Sequence, residues 1–302
     1  MKIAILGAGA MGSIYGARLS TCNEVRLISR AEPSINTITL TKNGIDETFT
    51  PVITTDSSTF GVAELVIIFV KALSTEVALE NNKSLIGPNT YVMTLQNGSG
   101  HEEVLSKFVE NNKIIIGTTE DSGTVIKPGV VRHGGAGVTN IGMLDGIKDD
   151  ILIRIQDCFN QVGFDVKIYD NIQQLIWNKL IINSSLSILT GLLQVKMGHI
   201  ATDPYAWTIV EQLCKETIKV GTAMGLEFDE QAVYEKIRAT ALGTPEGIPS
   251  ICVDLSKCAK TEVNTISGSV INAAKRYNIA VPTHELIVNL VRSMENRGNY
   301  KL

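Results

Sequence analysis

Three glycines within six residues set the first constraint on this chain. Residues 2–6, Lys-Ile-Ala-Ile-Leu, have the apolar character of a buried strand, and they run directly into Gly7-Ala8-Gly9-Ala10-Met11-Gly12. A helical pattern begins at once with Ser13, Ile14 and Tyr15. In a strand–turn–helix context each glycine has its own physical reason. Gly7 permits the tight turn, Gly9 lets backbone approach a pyrophosphate, and Gly12 lets the helix pack close to the strand. The helix N-terminus adds N–H donors and partial positive charge. The pattern therefore predicts a dinucleotide site that includes residues 7–12.

The second strand refines the prediction. Residues 24–28 read as that strand, and Ser29-Arg30 follow it. An NAD site usually places Asp or Glu here to accept a hydrogen bond from the ribose 2′-OH. Arg30 instead suits a 2′-phosphate, because a guanidinium is always charged and binds two oxygens at once. Glu32 is the acidic rival, but it lies past the strand end beside Pro33. The expected cofactor is NADP(H).

Composition narrows the partners. With 302 residues, 44% of them hydrophobic and 19% charged, the chain can build two domains with real cores. A net charge of −4 and the lack of any basic run leave no electrostatic footprint for nucleic acid or a membrane surface. The apolar runs, such as residues 65–70, read as too short to span a bilayer, and the N-terminus lacks the pattern of a secretory signal. Five scattered cysteines form no Cys-x-x-Cys, and the four histidines are isolated. Reduced thiols, a cytoplasmic location and no metal site are expected.

The first half alternates strand and helix patterns. Residues 65–70, 91–95 and 113–116 are continuous apolar runs, as parallel strands buried on both faces require. A strand pair turning at Asn43-Gly44 interrupts the alternation, and residues 125–143 read as antiparallel strands closing the domain. Short helices are expected at residues 74–81 and 100–109. From residue 170 long amphipathic patterns take over, at about residues 171–193, 204–224, 229–241, 261–277 and 282–297. The expected fold class is α/β: an N-terminal Rossmann-type doubly wound sheet over residues 1–168, then an all-α domain over residues 169–302. Such a plan usually binds its ligand in the cleft between the halves. Apolar faces on the C-terminal helices suit a homodimer as well as core packing.

Several polar residues stand where chemistry is expected. Lys71 and Asn97 each follow a buried strand, at the rim where this fold binds ligands. Lys179, Asn183 and Ser187 are spaced i, i+4, i+8, which puts them on one face of a helix. Asn and Ser weaken a helix, so a polar stripe there is better explained by a ligand cleft than by solvent. Glu262 is expected at the start of a helix, and Ser250 and Asp254 precede it.

Together these residues resemble the ketopantoate reductase family over nearly the whole chain. The carrying motifs are the glycine turn, Val70-Lys71-Ala72, Gln96-Asn97-Gly98, Trp177-x-Lys179-Leu-x-x-Asn183, Ser250 with Asp254 and Glu262, and Ala280-Val281-Pro282. The resemblance implies reduction of a 2-keto acid by NADPH, the pantoate step towards pantothenate and coenzyme A. It implies Lys179 as general acid and Glu262 as its catalytic companion, orienting substrate or nicotinamide ribose. Asn97, Asn183, Ser187 and Ser250 would hold the substrate. Residues 7–12, Arg30, Lys71, Asn97 and Gly123 would hold the cofactor. Two positions depart from the family pattern: Ser187 and Met197 stand where asparagines that contact substrate are usual. Another branched 2-keto acid, a related hydroxyacid dehydrogenase, and a non-catalytic NADP(H)-binding regulator are the alternatives.

Overall fold

The computed structural model describes residues 1–135 and 137–298. The chain forms two compact units: Met1–Gln96 with His101–Leu175, and Asn97–Gly100 with Ile176 onward.

The first unit contains β1 (Lys2–Leu6), α1 (Ala10–Leu19), β2 (Glu24–Ile28), β3 (Ile38–Lys42), β4 (Ile45–Phe49), β5 (Val52–Thr54) and β6 (Leu65–Ile68). It continues with α2 (Thr75–Asn81), β7 (Tyr91–Thr94), α3 (Glu102–Leu105), β8 (Ile114–Thr119), β9 (Ser122–Lys127), β10 (Val130–Gly135), β11 (Val138–Met143), α4 (Asp150–Asn160) and β12 (Asp165–Ile168). Eight strands make one sheet in the order β12-β11-β8-β7-β6-β1-β2-β5. The six from β5 to β8 are parallel. Their order is third, second, first, fourth, fifth and sixth once the β3–β4 hairpin is set aside, which is that of dinucleotide-binding sheets. Every residue of β6 is buried, which is why its sequence is an unbroken apolar run.

Two expectations are corrected here. Residues 125–143 do not together close this sheet. Only β11 joins it, antiparallel to β8. Strands β9 and β10 pair with the hairpin in a second sheet, β4-β3-β10-β9. The physical reason is exposure: β9 is almost wholly solvent-facing, so it cannot lie inside a sheet covered on both faces. The helix expected over residues 100–109 shrinks to α3. The hairpin itself turns at Asn43-Gly44 with φ of 51° and 79°, the pair of positive values a two-residue hairpin turn needs.

The second unit is helical. It contains α5 (Ile172–Ile182, within which the change of unit falls), a π-turn at Asn183–Ser187, α6 (Ile188–Leu193), α7 (Met197–Thr202), α8 (Pro204–Ala223), α9 (Glu230–Gly243), α10 (Ser250–Ser256), α11 (Ser267–Arg276) and α12 (Pro282–Asn296). Starts are set by capping chemistry: Asp203 accepts from the Ala206 N–H ahead of Pro204, and Asp229 accepts from the Ala232 N–H. The stretch Ile172–Leu193 is, contrary to expectation, long and apolar enough to cross a membrane by composition alone. Much of it is buried, with Ile181, Leu186 and Leu189 in one apolar core and Ile188 in another.

Candidate active site

The glycine turn lies where β1 ends beside β6. Gly7 has φ of 111°, and a Cβ on it would sit 2.8 Å from the backbone of Phe69 and Val70. A Cβ on Gly12 would lie 1.8 Å from the Gly7 carbonyl oxygen, so no side chain fits there without opening the turn. Gly9 differs: a Cβ on it would meet nothing within 4 Å. The first helical bond runs from the Ser13 N–H to the Gly9 carbonyl, which leaves the N–H groups of Ala10, Met11 and Gly12 without helical acceptors. The turn opens onto a cleft of about 610 Å³ whose lining includes Gly7, Ala8, Gly9, Ser29, Arg30 and Thr55. An open Gly9 at the N-terminus of a ten-residue helix, beside a guanidinium, fits a dinucleotide phosphate.

Helix α1 is held from below. The Tyr15 hydroxyl donates to Asp121 at 2.9 Å and lies 2.8 Å from the Thr139 hydroxyl, and Asp121 meets His133 Nε2 at 3.2 Å. Burial, then the Asp121 charge, push the Tyr15 hydroxyl well above the ordinary tyrosine range. Gly123 belongs to this support: a Cβ on it would press on Ile14 and Ala10 at 2.6 and 3.3 Å. It backs the helix and is not among the residues lining the cleft.

The rim carries both charges. Arg30 lines the cleft, and Glu32 accepts a hydrogen bond from the hydroxyl of Thr55, which also lines it. Lys71 is exposed directly after the lining residue Val70. Gln96, to which the sequence reading gave no role, donates to the Val70 carbonyl at 2.6 Å and to the Thr75 hydroxyl at 3.0 Å. It ties the end of β7 to that wall. Its position directly before Asn97 at a strand end was the available signal.

In the second unit, Asn97 and Glu262 meet: Nδ2 of Asn97 donates to Oε2 of Glu262 at 3.4 Å. Glu262 does not start a helix, as its sequence suggests. It lies in a turn, and α11 begins only at Ser267. The Thr265 carbonyl accepts from the Ser99 N–H at 2.9 Å, so it is diverted from helical bonding to the Asn97–Gly100 segment. Upstream, Thr261 gives its N–H and hydroxyl to Glu295 at 2.9 and 2.7 Å.

Lys179 is half-buried on α5, and Asn183 and Ser187 bracket the π-turn. The wider i→i+5 turn departs from the plain helical stripe expected of them, yet the Ser187 hydroxyl still reaches Asn183 Oδ1 at 3.4 Å. Residues 184–186 between them are buried, so the polar pair occupies the less covered side. Such turns recur at functional sites. Ser250 is the exposed first residue of α10 and makes no cap; Pro249 holds the cap position. Asp254 is half-buried on the same helix. The Met197 N–H donates to the Gly247 carbonyl at 3.1 Å, and its Sδ lies 3.9 Å from the Thr244 hydroxyl, so its side chain packs on the loop before α10. No group of three or more His, Cys, Asp or Glu able to hold a metal occurs among the described residues.

Comparison with known proteins settles the family. The model of ketopantoate reductase PanE/ApbA matches residues 3–146, and that of its C-terminal domain matches residues 171–295. The chain belongs to the ketopantoate reductase family. As a member it is an oxidoreductase, built on the mixed-sheet and all-helical plan of that family. It is 33% identical over 302 residues to the 2-dehydropantoate 2-reductase of Pyrococcus horikoshii, covering 99% of both chains. The structure of a D-mandelate dehydrogenase with NADH and anilino(oxo)acetate matches with a TM-score of 0.90 at 29% identity, over 100% of both chains. A 2-dehydropantoate 2-reductase from Geobacter metallireducens matches with a TM-score of 0.90 at 26% identity, over 97% of this chain and 99% of that one.

Proposed function

We propose that this ketopantoate reductase family member reduces 2-dehydropantoate to pantoate with NADPH, a step that feeds pantothenate and coenzyme A synthesis. The observation that carries the reading is the meeting of Asn97 with Glu262, the two residues that the family resemblance assigns to substrate holding and catalysis from distant parts of the sequence. The full-length relatives named 2-dehydropantoate 2-reductase support the substrate.

Residues 7–12 and Arg30 would hold the cofactor, with the open backbone of Gly9 at the pyrophosphate and Arg30 at the 2′-phosphate. Lys71 would add a second cation at that end. When bound, the nicotinamide supplies a hydride to the keto carbon. The Lys179 ammonium then stabilises the negative charge on the former carbonyl oxygen and donates a proton to it. Glu262 accepts from Asn97 and orients substrate. Asn183, Ser187 and Ser250 supply further hydrogen bonds, which fix the keto group before reaction.

A second reading rests on Ser187 and Met197. Ser187 offers a shorter donor than an asparagine and Met197 offers none, which favours another branched 2-keto acid. The D-mandelate dehydrogenase bound to NADH supports keeping that reading and NADH in view. A steady-state panel of 2-dehydropantoate and branched or aryl 2-keto acids, each with NADPH and NADH, decides. The expected result is NADPH oxidation with 2-dehydropantoate at kcat/KM about tenfold above any other pair. If the protein binds NADPH but turns over no 2-keto acid, the reading is lost.

A further inference from the structure

We propose that Thr265 is a positioning residue that aligns Asn97 with Glu262, a role that rests on the reading of those two as site residues. The Thr265 hydroxyl lies 3.2 Å from the Asn97 carbonyl oxygen and 3.2 Å from the Glu262 carbonyl oxygen. One hydroxyl proton is thus shared between the two backbones whose side chains pair at 3.4 Å. Its own carbonyl accepts from the Ser99 N–H at 2.9 Å, and its N–H donates to the Glu262 carbonyl at 3.1 Å. Thr265 therefore holds Glu262 through both side chain and backbone, Asn97 through its hydroxyl, and the neighbouring Ser99 through its carbonyl.

Gly98 shows how close the fit is. A Cβ on it would lie 2.0 Å from the Thr265 carbonyl oxygen and 2.8 Å from the Thr265 Cβ, and its φ is 99°. Both facts require glycine, so the segment carrying Asn97 can press flat against the turn carrying Glu262. An Asn–Glu hydrogen bond at 3.4 Å is weak and tolerates little drift before it is lost. The backbone clamp removes that drift.

The test compares Thr265→Val, which keeps the shape and removes the hydroxyl, with Thr265→Ser, which keeps the hydroxyl. Thr265→Val is expected to lower kcat for the 2-keto acid about tenfold, with cofactor affinity and 2-keto acid KM within about twofold of wild type. Thr265→Ser is expected to restore most of kcat. A readout independent of turnover is the Asn97 side-chain amide resonance, assigned through Asn97→Ala and followed across pH. In wild type and Thr265→Ser it should titrate with Glu262, and in folded Thr265→Val it should not. An Asn97 amide that titrates equally in Thr265→Val overturns the clamp, whether or not the chain turns over a 2-keto acid. A wild-type amide that titrates in a protein without turnover overturns the functional reading and leaves the clamp standing.

Discussion

Asn97 and Glu262 are 165 residues apart in sequence, and their side chains meet at 3.4 Å. If the contact serves catalysis, the two residues act as a unit. Asn97→Ala and Glu262→Gln should each lower kcat/KM by about a hundredfold, and the double variant should lose little more than either alone. Additive losses would show two independent roles.

The glycine turn makes a paired prediction. Gly12→Ala drives a Cβ into the Gly7 carbonyl, a backbone atom that cannot step aside, so the thermal midpoint should fall sharply. Gly9→Ala meets no atom within 4 Å and should cost about 1 kcal/mol or less. Its dinucleotide affinity should nevertheless drop about tenfold or more, because the added methyl occupies the ligand's side of the backbone. Calorimetry and cofactor titration separate the two effects.

How much of this was legible in the sequence follows from how local each cause is. The glycine turn was legible because strand, turn and helix are contiguous in sequence, although the backbone that crowds Gly7, that of Phe69 and Val70, comes from the end of β6. Strand β6 was legible because burial on both faces leaves only apolar residues. The π-turn at Asn183–Ser187 was not, since no residue type encodes an i→i+5 bond. The late start of α11 was equally hidden: residues 261–266 suit a helix by pattern, and only the distant partners Ser99 and Glu295 draw their polar groups away. The second sheet was missed because pairing of β10 with β3 joins segments some ninety residues apart. Lys179, Asn183 and Ser187 stand out in the sequence by spacing, Asn97 as a strand-end residue and Glu262 as an expected helix start that the structure places in a turn, but nothing in the sequence marks Thr265.

Arg30 gives a cofactor test. A charge-assisted contact to a 2′-phosphate contributes roughly 1.5–3 kcal/mol, so Arg30→Ala should weaken NADPH binding about ten- to a hundredfold and leave NADH within about twofold. Equal losses for both nucleotides, measured by fluorescence titration, would remove Arg30 from the 2′-phosphate.

His284 predicts an acid-dependent stability. It is fully buried at the start of α12, with Nε2 2.9 Å from the Thr217 hydroxyl and 3.1 Å from the Leu213 carbonyl. Burial pushes its pKa from 6.5 down to about 4, against the opposing pull of Glu216. The unfolded chain therefore binds this proton before the folded one does. Its contribution is complete above about pH 6.5 and is lost progressively as pH falls towards about 4. His284→Gln should flatten the slope of unfolding free energy in that window, as read by urea titrations at several pH values. An unchanged slope would assign the acid sensitivity elsewhere.

Lys179 tests the central claim most directly. With NADPH and 2-dehydropantoate, Lys179→Ala should lose about a thousandfold in kcat while NADPH binds as in wild type and the fold melts at the same temperature. A Lys179→Ala enzyme that keeps wild-type kcat would contradict the assignment of Lys179 as the proton donor.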